Sequence, residues 1–110
     1  MLKENESETV ILSLALHKPK GPAEEANFLK SLKEYGDIQR KYKGHELYAV
    51  GKDEKTGVLT VVSLWASQED ITAAQAEMLM FRKSFNFNAN QIGPTRYFQG
   101  NAEFMEIGLK

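Results

Sequence analysis

The chain has 110 residues, 42% of them hydrophobic and 26% charged, with a net charge of −1. These values fit one globular domain and give no electrostatic reason to expect nucleic acid or an anionic membrane as a partner. Cysteine is absent, which excludes disulfides, thiolate nucleophiles, iron–sulfur clusters and cysteine-rich zinc sites.

The N-terminal stretch 1–8 is acidic and polar, the opposite of a signal or transit peptide. We expect it to be a flexible tail before a single domain that covers residues 9–110. The longest apolar run, residues 10–16, is too short to span a bilayer. The sequence therefore predicts a cytoplasmic protein.

The first half of the chain predicts a strand, a helix and a hairpin. The β-rich run 9–17 predicts the first strand. Pro22 is placed to open a helix whose apolar residues recur at helical spacing, and Gly36-Asp37 is expected to end or kink it. Residues 45–52 and 58–65 predict two strands joined by the polar turn 53–57.

The second half predicts a helix and a final strand region. Residues 67–70 form an acidic capping-box pattern, and helical spacing then continues to about Phe85. The asparagine-rich stretch 86–90 predicts a frayed helix end and a loop. Strand signals follow at residues 97–98 and 104–107, with a bulge or bend expected at Gly100-Asn101. The order is that of an α+β ferredoxin-like domain, β-α-β-β-α-β, with a four-stranded antiparallel sheet and two helices on one face.

The predicted sheet is apolar on both faces. The first strand places Leu12, Leu14 and Leu16 on one side, with Ile11 and Ala15 on the other. Two helices can cover only one face of such a sheet, and a solvated second face would alternate apolar and polar residues. We therefore expect a homodimer in which a second copy covers the open face, the alternative being a monomer covered by a tail or by the final strand.

Two short motifs resemble the antibiotic biosynthesis monooxygenase family. Gly44 and Tyr48 match a G-x-x-x-Y strand, and Trp65, Ser67 and Glu69 match a strand end W-x-S-x-E that opens the second helix. The resemblance implies a ferredoxin-like unit that dimerises into an α+β barrel. It also implies oxygen insertion into small quinol-like aromatics with no metal and no cofactor.

The resemblance assigns Trp65 to the wall of a pocket between sheet and helices, or to a donor in it. Members with this activity are expected to carry an asparagine four residues before the tryptophan, where this chain has Val61. Haem-degrading relatives carry a histidine on the second helix, and residues 68–85 contain none. A haem-binding role is therefore disfavoured.

Other residues are candidates from their chemistry and position. His17 could act as a base, since an imidazole titrates near neutral pH, although it could equally cap a strand end. Tyr48 could orient a substrate hydroxyl or belong to the core. His45, after a turn glycine, is expected in solvent, and two histidines with no paired carboxylate make a metal site unfavourable.

The second helix carries four candidate substrate-binding residues. Met78, Phe81 and Phe85 could line an aromatic-binding cavity, and Arg82 could hold an anionic oxygen. The alternatives are an ordinary core stripe and a solvated charge. Asn86, Asn88 and Asn90 are interpreted as loop residues, with polar contacts to a ligand as the lesser option.

Two other classes of protein bear on the interpretation. RNA-recognition domains share the element order, but the apolar third strand, residues 58–64, lacks the exposed rings and basic residues that bind bases. A non-catalytic homodimer that binds a small apolar ligand remains an alternative to the cofactor-free oxygenase, because it needs no proton-handling asparagine.

Overall fold

The computed structural model describes residues 10–102, which form a four-stranded antiparallel sheet with helices on one side. The elements in chain order are β1 Ile11–His17, α1 Pro22–Arg40, β2 His45–Lys52, β3 Leu59–Trp65, α2 Gln68–Ser84, α3 Phe87–Asn90 and β4 Arg96–Asn101. The strand order is β2-β3-β1-β4. This order confirms the ferredoxin-like α+β prediction. The predicted tail 1–8 and the strand signal at 104–107 lie outside the described residues.

Helix α1 runs without a break through Gly36, so the prediction that the helix ends there is wrong. Gly36 is buried, and a Cβ at this position would lie 2.6 Å from two ring atoms of Tyr48. The glycine therefore brings the helix close to β2, and its lower helix propensity is outweighed by the packing of α1 on the sheet.

Helix α2 begins as the capping pattern predicts, because the Ser67 hydroxyl accepts a hydrogen bond from the backbone N–H of Asp70 at 3.2 Å. The short helix α3 was not predicted. The Asn86 side chain caps it by accepting from the backbone N–H of Ala89 at 3.0 Å. The asparagine-rich stretch thus contains a helical turn where a loop was expected.

Strand β4 is continuous, so the bulge or bend expected at Gly100-Asn101 is wrong. Gly100 pairs with Leu12, and Asn101 pairs with Ile11, in unbroken register along β1. The absence of a side chain at Gly100 leaves room for the Phe98 ring, since a Cβ there would lie 3.0 Å from it.

The helices cover one face of the sheet. Two buried clusters lie on that face, one around Phe28, Leu32 and Leu59 and the other around Trp65 and Ile71. No helix among residues 10–102 covers the opposite face, which carries partly exposed apolar side chains on β1, β3 and β4. Among the same residues, no helix combines the length and apolar character that a membrane crossing requires.

Candidate functional site

A cavity of about 620 Å³ lies between the sheet and helices α1 and α2. Strands β1 and β3 contribute Ser13, Ala15, Val61 and Ser63 to its lining, and the helices contribute mostly apolar and aromatic side chains. The volume is within the range of about 300–1,000 Å³ found for small-molecule pockets. The cavity is therefore the candidate site in the described part of the chain.

All seven residues proposed from the sequence line this cavity. They are Trp65, His17, Tyr48, Met78, Phe81, Arg82 and Phe85. The strand residues reach it because alternate side chains of a strand share one face. Met78, Phe81 and Arg82 reach it from one stripe of α2, and Phe85 reaches it from the extended position that follows the helix.

His17 lies at one end of the cavity and is only 5% exposed. Its ring packs against those of Phe28 and Phe87, with centroid distances of 5.0 and 5.6 Å, and these two rings also contact each other at 6.0 Å. Its Nδ1 atom lies 3.2 Å from Oε1 of Gln91 and 3.3 Å from Oγ1 of Thr95. A carbonyl acceptor beside Nδ1 favours the tautomer that carries its proton there and leaves the Nε2 lone pair free.

Burial lowers the pKa of His17, and the hydrogen bond to Gln91 opposes this effect more weakly. The net effect is a pKa below the ordinary value of 6.5, so the imidazole is neutral at neutral pH. A neutral imidazole can accept a proton from a bound molecule.

Trp65 is the last residue of β3, whereas His17 is paired with the first, Leu59. Trp65 lies on the same sheet face as His17 and is 2% exposed. The ring of His45 meets it edge-on at a centroid distance of 4.9 Å. The hydroxyl of Ser63 donates to Oε1 of Gln39 at 2.7 Å and lies 3.4 Å from Nε2 of His45. The expectation that His45 is solvated is wrong, because it is half-buried against these groups, and burial together with the charge of Arg40 lowers its pKa.

Tyr48 contributes its ring to the cavity, but its hydroxyl has a protein partner. The phenol donates to the backbone carbonyl of Leu32 at 2.7 Å. Burial, with a smaller contribution from Tyr35, raises the pKa of Tyr48, so the phenol stays protonated. Because its hydrogen is donated to Leu32, this hydroxyl could orient a substrate only by accepting a hydrogen bond.

Arg82 forms a pair with a residue that the sequence did not single out as functional. Its Nη1 donates to the hydroxyl oxygen of Tyr35 at 2.6 Å, linking α2 to α1. The ring of Phe81 stacks on Tyr35 with a centroid distance of 5.6 Å and an interplanar angle of 16°. Burial raises the pKa of Tyr35, and the neighbouring guanidinium opposes this rise.

Several polar lining residues were also missed. Ser13 and Ser63 are paired across β1 and β3, and each interrupts an otherwise apolar strand, which is a signal that could have been used. Gln39 gave no such signal, because a single glutamine on an amphipathic helix is ordinary.

Two of the asparagines proposed as loop residues have a structural role. Asn90 donates to the backbone carbonyl of Asn86 at 2.7 Å and accepts from Asn27 at 3.0 Å.

Within residues 10–102, no three histidine, aspartate or glutamate residues are grouped as a metal site requires.

No protein-family profile matches the sequence, and no curated protein is significantly similar to it. Solved structures do match. Rv0793 from Mycobacterium tuberculosis has a TM-score of 0.74 at 15% identity, over 91% of this chain and 100% of that one. SnoaB from Streptomyces nogalater, described as a cofactor-independent oxygenase, has a TM-score of 0.71 at 11% identity, over 88% of this chain and 96% of that one.

A candidate antibiotic biosynthesis monooxygenase from Nitrosomonas europaea has a TM-score of 0.72 at 9% identity, over 88% of this chain and 93% of that one. The chain therefore has the fold of the antibiotic biosynthesis monooxygenase structures, as the strand and helix motifs predicted. At these identities the likeness establishes the fold alone.

Proposed function

We propose that this protein is a cofactor-independent oxygenase of small, electron-rich aromatic molecules that bind in the cavity between the sheet and the helices. One observation supports this most: a largely apolar cavity holds a buried, neutral histidine. The fold is one that SnoaB, an oxygenase without a cofactor, also has.

The proposed chemistry starts from a phenol whose para carbon bears hydrogen. The phenol loses its proton, and the electron-rich anion transfers an electron to dioxygen. The resulting pair combines at the para carbon to give a peroxide, which takes up a proton and loses water to leave a quinone. One oxygen atom enters the product and the other leaves as water, so the substrate supplies all the electrons.

The cavity residues divide these tasks. His17 accepts the phenol proton through Nε2 and returns it to the peroxide. Trp65, Met78, Phe81 and Phe85 surround the aromatic ring with apolar surface and exclude water, which strengthens polar contacts in the site. Arg82 holds an anionic oxygen of the substrate. Tyr48 contributes its ring to the wall.

Oxygen uptake tests the proposal. Chelator-treated protein is mixed with a panel of 1-naphthol, 9-anthrol (the enol of anthrone) and related phenols, and uptake is followed with an oxygen electrode. His17→Gln is expected to lower the rate by about 100-fold or more, the size of a general-base contribution. Trp65→Phe is expected to lower kcat/KM because the ring loses part of its apolar wall.

His45→Gln is the matched control, because this second histidine does not line the cavity, and it is expected to keep most of the activity. Uptake by the wild-type protein equal to the buffer rate for every phenol would rule out the oxygenase.

A second candidate is a non-catalytic protein that binds a small aromatic ligand. It is favoured by Val61, which lies in the cavity wall where the family resemblance implies an asparagine, and by the engaged hydroxyl of Tyr48. Binding of the same phenols without oxygen uptake would favour this candidate.

A further inference from the structure

Among residues 10–102, the charged side chains that line the cavity are all positive. Arg82 and Lys83 line it, and no carboxylate of residues 10–102 does. The chain as a whole has a net charge of −1, so the positive charge at the cavity is a local feature and does not follow from a basic composition. Arg82 and Lys83 also line the neighbouring surface depression at the end of α2, which places the charge beside solvent.

Arg82 has no ion-pair partner among residues 10–102. The ion pairs there are Arg40–Asp37, Lys41–Glu77 and Lys52–Glu25. Arg82 is half-buried, and an anion bound beside it would replace part of the solvation that its charge loses there. Its Nη1 contacts the oxygen of Tyr35, which leaves other N–H groups for a bound molecule.

Tyr35 adds a second donor at the same point. Its oxygen accepts from Arg82 at 2.6 Å, so its own O–H hydrogen points elsewhere. Among residues 10–102, the Tyr35 hydroxyl donates no hydrogen bond, and both side chains line the cavity. The raised pKa of Tyr35 keeps the phenol protonated. The guanidinium of Arg82 and the O–H of Tyr35 thus lie side by side at the cavity, and both can donate hydrogen bonds to a bound molecule.

We propose that the cavity selects aromatic acids, with the carboxylate bound by Arg82 and Tyr35 and the ring lying on Phe81, Met78 and Trp65. A planar carboxylate matches the fork of a guanidinium, which a neutral ligand cannot do. This inference rests on the proposed function, because it names the class of substrate that would bind in the same cavity.

The test compares two ligands of equal shape and different charge, 2-naphthoate and 2-naphthamide, by titration calorimetry at neutral pH. We expect naphthoate to bind about tenfold or more tightly, the ratio that one hydrogen bond to a charged group supports. The sequence has a single tryptophan, so one indole N–H signal in a nitrogen–proton NMR spectrum reports whether each ligand reaches Trp65.

Arg82→Gln is expected to bring the two affinities together, and Arg82→Lys to restore part of the difference. Tyr35→Phe should reduce it less, since the guanidinium remains. Arg40→Gln is the matched control, because Arg40 is exposed, paired with Asp37 and away from the cavity lining. It should leave the preference unchanged.

Equal affinities for the two ligands in the wild-type protein, or a preference that survives Arg82→Gln, would overturn the inference. These outcomes are separable from failure of the oxygenase. Uptake of oxygen with neutral phenols and no preference for naphthoate would support the oxygenase and refute the carboxylate site. A preference for naphthoate that depends on Arg82, without oxygen uptake, would support the carboxylate site and refute the oxygenase.

Discussion

His17 has two partners on the same ring nitrogen and packs against two aromatic rings. This environment satisfies the neutral imidazole and penalises the charged one. Because burial lowers the pKa of His17 in the folded chain, the unfolded chain binds more protons between that lowered value and the ordinary value of 6.5. In that interval the free energy of unfolding rises with pH.

Acidification from about pH 7.5 to pH 5.5 is therefore expected to lower the free energy of unfolding. His17 contributes at most about 1.4 kcal/mol per pH unit to this decrease. Urea unfolding at a series of pH values measures this dependence. His17→Gln should flatten it. His45→Gln is the matched control and should flatten it less, because His45 is only half-buried. An unchanged slope in His17→Gln would contradict the buried, neutral histidine.

Residue-scale prediction from the sequence was good where periodicity decides the outcome. The alternation of side chains along the strands brings His17 and Trp65 to one face, and one helical stripe brings Met78, Phe81 and Arg82 to the same cavity. It failed where a partner comes from a distant element. From the sequence, Tyr35 is interpreted as an ordinary core residue, because its partner Arg82 lies on a different helix.

At the scale of elements, the strands and the start of α2 could be predicted because turn and cap residues are local signals. Gly36 misled the helix prediction, since the reason for that glycine is the Tyr48 ring on another element. Helix α3 was missed because its cap, Asn86, lies in a run of asparagines that is equally typical of a loop.

The sheet face that no helix of residues 10–102 covers is the element-scale feature with the largest consequence. Leu14 lies near its centre, paired with Val62 on β3 and Phe98 on β4, and Phe98 is 55% exposed. Burying a leucine of this kind contributes about 1.5–3 kcal/mol. We propose that a second copy of the chain covers this face.

Sedimentation at low micromolar concentration should give a species of twice 12.4 kDa. Leu14→Glu should shift it towards the monomer, because a charge at the centre of an apolar interface loses its solvation. Leu29→Glu, at an exposed apolar position on α1, is the matched control and should remain dimeric. A wild-type monomer would refute the proposal.

At the scale of the whole molecule, the sequence indicated the fold through two short motifs, and the solved structures confirm that fold at identities too low to carry a function. Val61 shows why. The same backbone can hold a valine at a position where the family resemblance implies an asparagine, so the chemistry depends on side chains that the fold does not determine.

The fate of the two oxygen atoms tests the account most directly. Chelator-treated protein is incubated under ¹⁸O₂ with whichever phenol gives the fastest uptake, and the product is examined by mass spectrometry. The account predicts a quinone that carries one ¹⁸O atom from dioxygen, formed faster than in buffer and much more slowly by His17→Gln. A quinone that takes its new oxygen from water, or that forms at the buffer rate, would contradict it.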